Sequence, residues 1–165
     1  MNIKIILAGE GAVGKTTLIN RFITGAFSGD YKATIGVTIF SKDLVFEHQK
    51  ISLQIWDIAG QQLFRDFRMK FFSKAQGAIL VFDITVPKTL DSLHTWIEDI
   101  HKVTGEIPLI LLGNKIDLSN LRAVTTDEII QFLEQHPYIG SHFLTSALTG
   151  QNVEKAFTNL VSLMI

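Results

Sequence analysis

The chain contains no cysteine among its 165 residues. Disulfides, thiolate metal sites, cysteine nucleophiles and cysteine-linked lipid anchors are therefore excluded on these residues. Position 2 is Asn2 rather than the glycine that myristoylation requires. There is also no signal peptide and no apolar run of membrane-spanning length. These absences predict a cytoplasmic protein without its own membrane anchor, which would reach membranes only through partners or a tail outside this chain.

Charge is balanced and rather scarce. Fifteen Lys and Arg residues face 16 Asp and Glu residues, and the formal net charge is −1. This balance provides no strongly basic surface for nucleic acid or an acidic membrane. An apolar content of 47% over 165 residues is typical of a globular domain with a large core. We therefore predict one domain over residues 1–165, monomeric and without a nucleic-acid partner.

Strands and helices alternate along the chain, which predicts an α/β domain with a mainly parallel sheet. The predicted strands cover residues 2–8, 39–46, 50–57, 77–83, 108–113 and 141–145. A short polar turn joins the second and third strands and predicts an antiparallel hairpin. Helices are predicted after the first strand, along the apolar face from Leu90 to Ile100, after a capping box at 125–128, and from Val153 to Met164. The carboxyl ends of parallel strands share one edge, where ligands bind in such sheets.

The first strand leads into Gly9-Glu10-Gly11-Ala12-Val13-Gly14-Lys15-Thr16, which fits the phosphate-binding pattern G-x-x-x-x-G-K-[ST]. Gly11 and Gly14 are expected to let backbone N–H groups approach an anion, which the next helix N-terminus also favours. We expect Lys15 to contact the β- and γ-phosphates and Thr16 to bind Mg²⁺. The alternative is a glycine-rich turn with a surface lysine. The loop alone predicts a nucleoside triphosphate without specifying the base.

A second motif, Trp56-Asp57-Ile58-Ala59-Gly60-Gln61, also follows a strand. The Asp57 carboxylate suits Mg²⁺, either directly or through a coordinated water. Gly60 has no side chain, so its N–H can meet a γ-phosphate, and Gln61 can orient an attacking water. The alternative is a strand end followed by an ordinary turn.

The third motif, Asn114-Lys115-Ile116-Asp117, predicts the base. The Asp117 carboxylate can accept hydrogen bonds from the N1–H and exocyclic amine of guanine, a donor pair that adenine lacks. The Lys115 stem can lie over the base, and Asn114 can tie this loop to the phosphate loop. A polar loop with an N-capping aspartate is the alternative. A backbone N–H within Ser146-Ala147-Leu148 could meet the guanine carbonyl oxygen, although a plain turn explains that segment equally well.

These segments, together with Thr34-Ile35-Gly36-Val37, resemble the Ras superfamily of small GTPases over the whole chain. Residues 53–57 and 34–37 are most similar to the Rab branch. The resemblance implies a P-loop NTPase G domain of the α/β class. Its six-stranded, mainly parallel sheet has one antiparallel strand and is flanked by five helices. Switch I would lie around Thr34, and switch II would extend from Asp57 to about Phe72.

The same resemblance implies a set of site residues. Phe27 would pack against the guanine, and Thr16 and Thr34 would bind Mg²⁺, with Asp57 acting through water. Catalysis would involve Gln61, Lys15 and Gly60. The nucleotide, GTP or GDP, would contact Gly11, Ala12, Val13, Gly14, Lys15, Thr16, Thr17, Phe27, Tyr31, Thr34, Gly60, Asn114, Lys115, Asp117, Ser146, Ala147 and Leu148. Effectors, exchange factors and GTPase-activating proteins would bind through the two switches.

The chain departs from the family pattern at several positions. Ile58 stands where the family usually has threonine, and Gln62 replaces a glutamate involved in exchange-factor action. Leu148 replaces the lysine of S-A-K, which leaves only an apolar contact for the base. Trp56 and Phe71 match an aromatic triad of Rab proteins, but Ile39 takes its first position.

The sequence is therefore interpreted as a guanine-nucleotide switch that hydrolyses GTP to GDP and phosphate. GTP hydrolysis without a partner protein is expected to be slow, because no arginine of this chain is identified that would stabilise the transition state. One alternative is an interaction module that binds nucleotide with negligible turnover, for which Ile58 and Leu148 leave room. Another is a P-loop ATPase or small-molecule kinase, against which the motif at 114–117 argues.

The remaining polar and aromatic residues carry blander expectations. The five histidines, at positions 48, 94, 101, 136 and 142, lack metal-ligand spacing and are expected at the surface or in the core. The helical acids, including Glu98 and Asp99, are expected on solvated faces. The phenylalanines of switch II are expected to belong partly to the core and partly to a partner-binding patch.

Overall fold

The computed structural model describes residues 1–30, 32–60 and 65–165. Its strands are β1 (Asn2–Ala8), β2 (Val37–Phe46), β3 (Gln49–Ile58), β4 (Gly77–Asp83), β5 (Leu109–Asn114) and β6 (Ile139–Leu144). Its α-helices are α1 (Lys15–Thr24), α2 (Arg65–Met69), α3 (Lys88–Asp91), α4 (Leu93–Thr104), α5 (Thr126–Gln135) and α6 (Val153–Met164). Two 3₁₀ segments, Lys70–Phe72 and Ile116–Leu121, complete the regular structure of these residues.

The strands form one six-stranded sheet in the order β2-β3-β1-β4-β5-β6. All neighbouring pairs are parallel except β2 with β3, so the predicted fold class is confirmed. The β2–β3 hairpin turns at Glu47 and His48, which both have positive φ. Two-residue turns with positive φ match the right-handed twist of the strands that they connect.

Helices cover both faces of the sheet and bury two apolar layers. On one face α1 and α6 meet through Phe22 and Phe157, whose rings stack with centroids 4.1 Å apart. On the other face α4 and α5 pack on the sheet around Trp96, which is fully buried. Every residue of β4 is buried, as expected for a central parallel strand. Within the described ranges, no helix combines the length and apolarity needed to cross a membrane.

The apolar face from Leu90 to Ile100 belongs to two helices rather than one. α3 ends at Asp91 and α4 begins at Leu93, so the described residues contain six α-helices where five were expected. The Ser92 hydroxyl donates a hydrogen bond to the Thr89 carbonyl oxygen at 2.9 Å. Such side-chain bonds compete with the helical ladder, which explains the break at this serine.

The capping box predicted at the start of α5 is present. The Glu128 N–H donates to the Thr125 hydroxyl oxygen at 3.2 Å, and the Thr125 N–H donates to the Glu128 carboxylate at 2.8 Å. Two N–H groups that the helix itself leaves unpaired are thereby satisfied. The helix extends to Gln135, whereas the sequence predicts its end at Glu134.

The prediction that Asp99 lies on a solvated helix face is wrong. Its side chain is 1% exposed and receives two hydrogen bonds of 2.9 Å from the Arg65 guanidinium. The buried Arg68 guanidinium lies 3.8 Å from the same carboxylate and 3.4 Å from the centre of the Trp96 ring. Helical periodicity could not reveal this burial because the two arginines come from a different helix. Asp99 thus holds α2 against α4.

We predict that Asp99→Ala destabilises the protein by about 3 kcal/mol, because it leaves the buried Arg68 guanidinium without its counter-charge. Urea denaturation followed by circular dichroism measures this change in the free energy of unfolding.

The neighbouring Glu98→Ala provides the matched control. Glu98 pairs with Lys102 at 3.1 Å, but both side chains are more than half exposed. Such a pair contributes less than ~0.5 kcal/mol. Equal losses of stability in the two variants would contradict the assigned role of Asp99.

Candidate functional site

The loop between β1 and α1 turns sharply at three residues with positive φ, namely Gly9, Ala12 and Gly14. A Cβ atom on Gly9 would lie 2.3 Å from the Val81 carbonyl oxygen, and one on Gly14 would lie 2.4 Å from the Asn114 Nδ2 atom. Glycine is therefore required at both positions. Gly11 differs from expectation, since a Cβ there would meet nothing within 4 Å. The left-handed residue next to it is Ala12.

Lys15 turns back into the loop that precedes it. Its ammonium group donates to the carbonyl oxygens of Gly9 at 2.7 Å and Glu10 at 2.9 Å. The residue is 6% exposed, and this burial lowers the pKa of Lys15 to about 8, although the nearby Asp57 carboxylate opposes the shift. The loop thus holds a buried cation at the start of α1, where the helix dipole adds further positive potential.

Thr16, Thr34 and Asp57 come together from α1, the segment before β2, and β3. The Thr16 hydroxyl donates to Asp57 Oδ2, and the Thr34 hydroxyl oxygen lies 2.9 Å from that of Thr16. Thr34 also reaches Asp57 Oδ2 at 3.3 Å. The three residues predicted as metal ligands are therefore within hydrogen-bonding distance of one another.

The Asp57 carboxylate is fully buried, and its Oδ1 atom has no hydrogen-bond partner among the described residues. Burial raises the pKa of Asp57, while the hydrogen bond from Thr16 and the Lys15 charge act in the opposite direction. An unpaired buried carboxylate oxygen beside two hydroxyls is a set of hard oxygen donors. This chemistry fits Mg²⁺, which prefers oxygen ligands.

Thr16 and Thr34 border a cavity of about 190 Å³. Its walls include the loop residues Gly11, Ala12 and Gly14, the helix residues Lys15, Thr16 and Thr17, and Thr34 and Gly60. Gly60 touches the loop so closely that a Cβ atom would lie 2.4 Å from the Gly11 nitrogen. Gly60, which follows β3, and the phosphate-binding motif therefore border the same cavity.

A second cavity, of about 220 Å³, adjoins the first and shares Ala12, Gly14 and Thr17 with it. Its other walls include Phe27, Asn114, Lys115, Asp117, Ala147 and Leu148. Phe27 is 44% exposed and Leu148 is 48% exposed. The shared walls place a phosphate-sized space beside a base-sized space, as a bound nucleotide requires.

The residues around the second cavity are linked by buried hydrogen bonds. The Asn114 side-chain amide donates to the Val13 carbonyl oxygen at 2.9 Å and accepts from the Thr145 hydroxyl at 3.1 Å. The Ser146 hydroxyl donates to the Asp117 carboxylate at 2.7 Å. The Ser146 N–H donates to the Gln151 carbonyl oxygen at 3.2 Å. Ser146 therefore orients Asp117 through its hydroxyl.

Asp83 is a site residue that the sequence reasoning missed. It ends β4, is 5% exposed, and its Oδ2 atom lies 3.0 Å from the Lys115 ammonium group. Lys115 also donates to the Ala12 carbonyl oxygen at 2.8 Å. The Thr85 N–H and hydroxyl hold the other Asp83 oxygen at 2.8 and 2.7 Å. A carboxylate at the carboxyl end of a buried parallel strand was the signal available in the sequence.

Two predicted site residues, Gln61 and Tyr31, lie outside the described residues. Val13 is fully buried in the core, and its carbonyl oxygen accepts the hydrogen bond from Asn114. The other predicted residues border one or both cavities, except Asp57 and Ser146, which bond to residues that do. Arg65 and Arg68 form ion pairs with Asp99 and do not border either cavity.

An apolar surface lies beside the first cavity, on β2, β3 and the 65–72 segment. Ile39 is 53% exposed and pairs with the half-buried Trp56 across the hairpin. The Phe71 ring lies 6.3 Å from Trp56 and 5.2 Å from Phe67, which is 50% exposed. We call these four residues the apolar patch. Phe72 is fully buried, and Phe64 lies outside the described residues.

The departures from the family pattern have clear places in the structure. Ile58 is fully buried in the core formed with α4 and α5, so its apolar side chain satisfies packing there. Leu148 borders the second cavity and offers it an apolar contact. Gln62 lies outside the described residues.

Comparison with known proteins agrees with this geometry. The Ras family profile matches residues 4–165. The chain is 42% identical to the Ras-related protein Rab11A of Lotus japonicus over 161 residues, which cover 96% of this chain and 70% of that protein. It is 40% identical to RABA4a of Arabidopsis thaliana over the same shares, and 39% identical to Rab-11A of Dictyostelium discoideum over 96% of this chain and 74% of that protein. The chain therefore belongs to the Ras family, and it is a Rab-like small GTPase.

Proposed function

We propose that residues 1–165 form a single G domain that acts as a molecular switch, binding GTP and GDP and hydrolysing GTP. The observation that carries this proposal is the pair of joined cavities. One is lined by the phosphate-binding motif and by Thr16 and Thr34, which lie within hydrogen-bonding distance of Asp57, and the other by Asp117 and Lys115. No specific observation favours a module without turnover.

The phosphate cavity supplies positive charge and oxygen ligands. Lys15 and the loop N–H groups bind the β- and γ-phosphates, and Thr17 borders the path between phosphate and base. Thr16, Thr34 and Asp57 would hold the metal, with Asp57 acting through water. When bound, Mg²⁺ neutralises negative charge on the phosphate oxygens.

The base cavity selects guanine. Asp117, oriented by Ser146, accepts two hydrogen bonds that only guanine can donate. Lys115 lies over one face of the base, and Phe27 contacts its edge. Ala147 and Leu148 complete the wall, with a backbone N–H near the guanine carbonyl oxygen.

Hydrolysis proceeds by in-line attack of water on the γ-phosphorus, and the bond to the bridging oxygen of GDP breaks. Gln61 orients the water, while Lys15 and the Gly60 N–H stabilise the charge that develops. Arg65 and Arg68 are held by Asp99, so neither guanidinium group stabilises the transition state of hydrolysis. Turnover without a partner is therefore slow.

The γ-phosphate orders Thr34 and Gly60, and its loss releases them. Ile35, which follows Thr34, is 84% exposed, and the apolar patch offers the further exposed side chains Ile39 and Phe67. Effectors, exchange factors and GTPase-activating proteins bind these surfaces. The likeness to Rab proteins supports a role in vesicle and membrane trafficking or signalling, with the chain peripheral to membranes through partners or a tail outside it.

A nucleotide competition experiment tests this proposal. With Mg²⁺ present, unlabelled GTP is expected to displace a fluorescent guanine nucleotide far better than ATP. Single-turnover phosphate release is expected to be slow but measurable in the wild-type chain. Gln61→Leu should reduce this rate by at least about tenfold, because the attacking water loses its orienting group.

The outcomes separate the candidate functions. Preference for ATP would contradict the guanine assignment and favour a P-loop ATPase or kinase. Equal, negligible phosphate release from wild type and Gln61→Leu would instead favour a nucleotide-binding module without turnover.

Valine substitutions at the two threonines test the metal site. Thr16→Val is expected to weaken Mg²⁺-dependent binding of both GDP and GTP by at least about tenfold. Thr34→Val should slow GTP hydrolysis but leave GDP affinity nearly unchanged, because Thr34 binds the metal only when the triphosphate is present. Nucleotide titrations at fixed Mg²⁺ concentrations measure both effects, and identical behaviour of the two variants would contradict the different roles.

Asp83→Asn tests whether this buried carboxylate positions Lys115. GDP dissociation is expected to accelerate about fivefold, equivalent to ~1 kcal/mol for a partly exposed ion pair. Stopped-flow release of a fluorescent GDP measures the rate. Asp91→Asn, an exposed aspartate on α3, is the control, and equal rates in both variants would show that Asp83 has no such role.

A further inference from the structure

A cluster of histidine and tyrosine side chains joins α4 to the segment between α5 and β6. His94 lies in the first turn of α4, and His136 follows the last residue of α5. Although 42 residues separate them, His94 Nδ1 lies 2.7 Å from His136 Nε2. Sequence spacing does not reveal this approach, because only the fold brings the two histidines together.

The two rings are held in place by packing. Phe132, which is 4% exposed, lies with its ring centre 4.7 Å from both imidazole rings. Both histidines are half-buried. Their facing nitrogens therefore have little freedom to turn apart into solvent.

Facing imidazole nitrogens can share a proton or bind one metal ion. Two neutral imidazoles cannot both donate, so one nitrogen of this pair always presents a lone pair to the other. A tetrahedral metal ion with bonds of about 2.0–2.1 Å would need the nitrogens roughly 3.3 Å apart. Reaching that separation from the observed 2.7 Å requires the two nitrogens to move apart by a fraction of an ångström.

The second nitrogen of His136 also has a hydrogen-bond partner. His136 Nδ1 lies 2.5 Å from the Tyr138 phenol oxygen. An Nδ1–H donated to this oxygen would leave Nε2 free to bind metal. Tyr138 in turn packs against His101, with ring centres 4.9 Å apart.

We propose that His94 and His136 form a binding site for a divalent transition-metal ion such as Zn²⁺, Cu²⁺ or Ni²⁺. Imidazole nitrogen suits these ions, whereas Mg²⁺ and Ca²⁺ require oxygen ligands. The site is therefore chemically distinct from the oxygen cluster of Thr16, Thr34 and Asp57. In it His94 and His136 are the ligands, and Tyr138 positions His136.

Two protein ligands leave the remaining coordination positions to water. Among the described residues there is no group of three or more His, Asp or Glu side chains arranged to hold a metal. The site is thus open rather than a closed structural site. A bound ion would tie α4 to the end of α5, which stabilises the folded chain more as the occupancy of the site rises.

Zinc titration of the tag-free, GDP-loaded chain with Mg²⁺ in excess tests the proposal. Calorimetry is expected to show one Zn²⁺ per chain at this site, and Zn²⁺ is expected to raise the melting temperature. His94→Gln and His136→Gln should each weaken this binding by at least about tenfold and abolish the thermal shift. Tyr138→Phe should weaken it by about tenfold while both ligands remain.

The exposed histidines provide matched controls. His48→Gln and His142→Gln remove the same side chain from sites without a histidine partner among the described residues and should leave Zn²⁺ binding unchanged. Wild-type affinity in both His94→Gln and His136→Gln would overturn the proposal, as would loss in only one of them.

A measurement on the wild-type chain keeps the test independent of variant folding. With one equivalent of Cu²⁺, the electron paramagnetic resonance spectrum is expected to show coupling to two imidazole nitrogens. Coupling to one nitrogen or to none would overturn the two-histidine site.

Discussion

One buried amide side chain, that of Asn114, joins the three loops on which the site depends. Its donor atoms reach the phosphate loop at Val13, and its oxygen accepts from Thr145 at the end of the last strand. Asn114 itself begins the loop that carries Lys115 and Asp117. Because Asn114 is only 2% exposed, its hydrogen bonds are protected from competing water. The phosphate and base cavities are adjacent because this one residue fixes the loops relative to each other.

The site around Asn114 contains charged side chains whose burial is energetically unfavourable. Burial lowers the pKa of Lys15 and raises the pKa of Asp57, so each residue is held in an environment that penalises its charged form. A ligand that brings phosphate charge to Lys15 and metal charge to Asp57 would relieve both. The unpaired Oδ1 atom of Asp57 points to the same conclusion. The site is electrostatically arranged for a ligand carrying charges of both signs.

Much of this was predictable from the sequence, because local patterns encode it. The phosphate loop, the strand ends and the capping box at Thr125 each depend on residues close together in the chain. The buried role of Asp99 was not predictable, since its partners Arg65 and Arg68 lie on another helix. The same reason hid the ion pair of Asp83 with Lys115 and the approach of His94 to His136. Contacts of this kind depend on tertiary packing, which a periodic pattern does not record.

The close packing of Gly60 against the phosphate loop determines how freely this part of the chain can vary over evolution. A single methyl group at Gly60 would collide with backbone atoms of Gly9 and Gly11, which have no flexible end to move aside. At Gly11 itself a side chain would enter open space. Mutational tolerance therefore differs sharply between glycines only a few ångströms apart. Variation at position 11 is limited by what must bind there, whereas variation at position 60 is limited by the protein's own backbone.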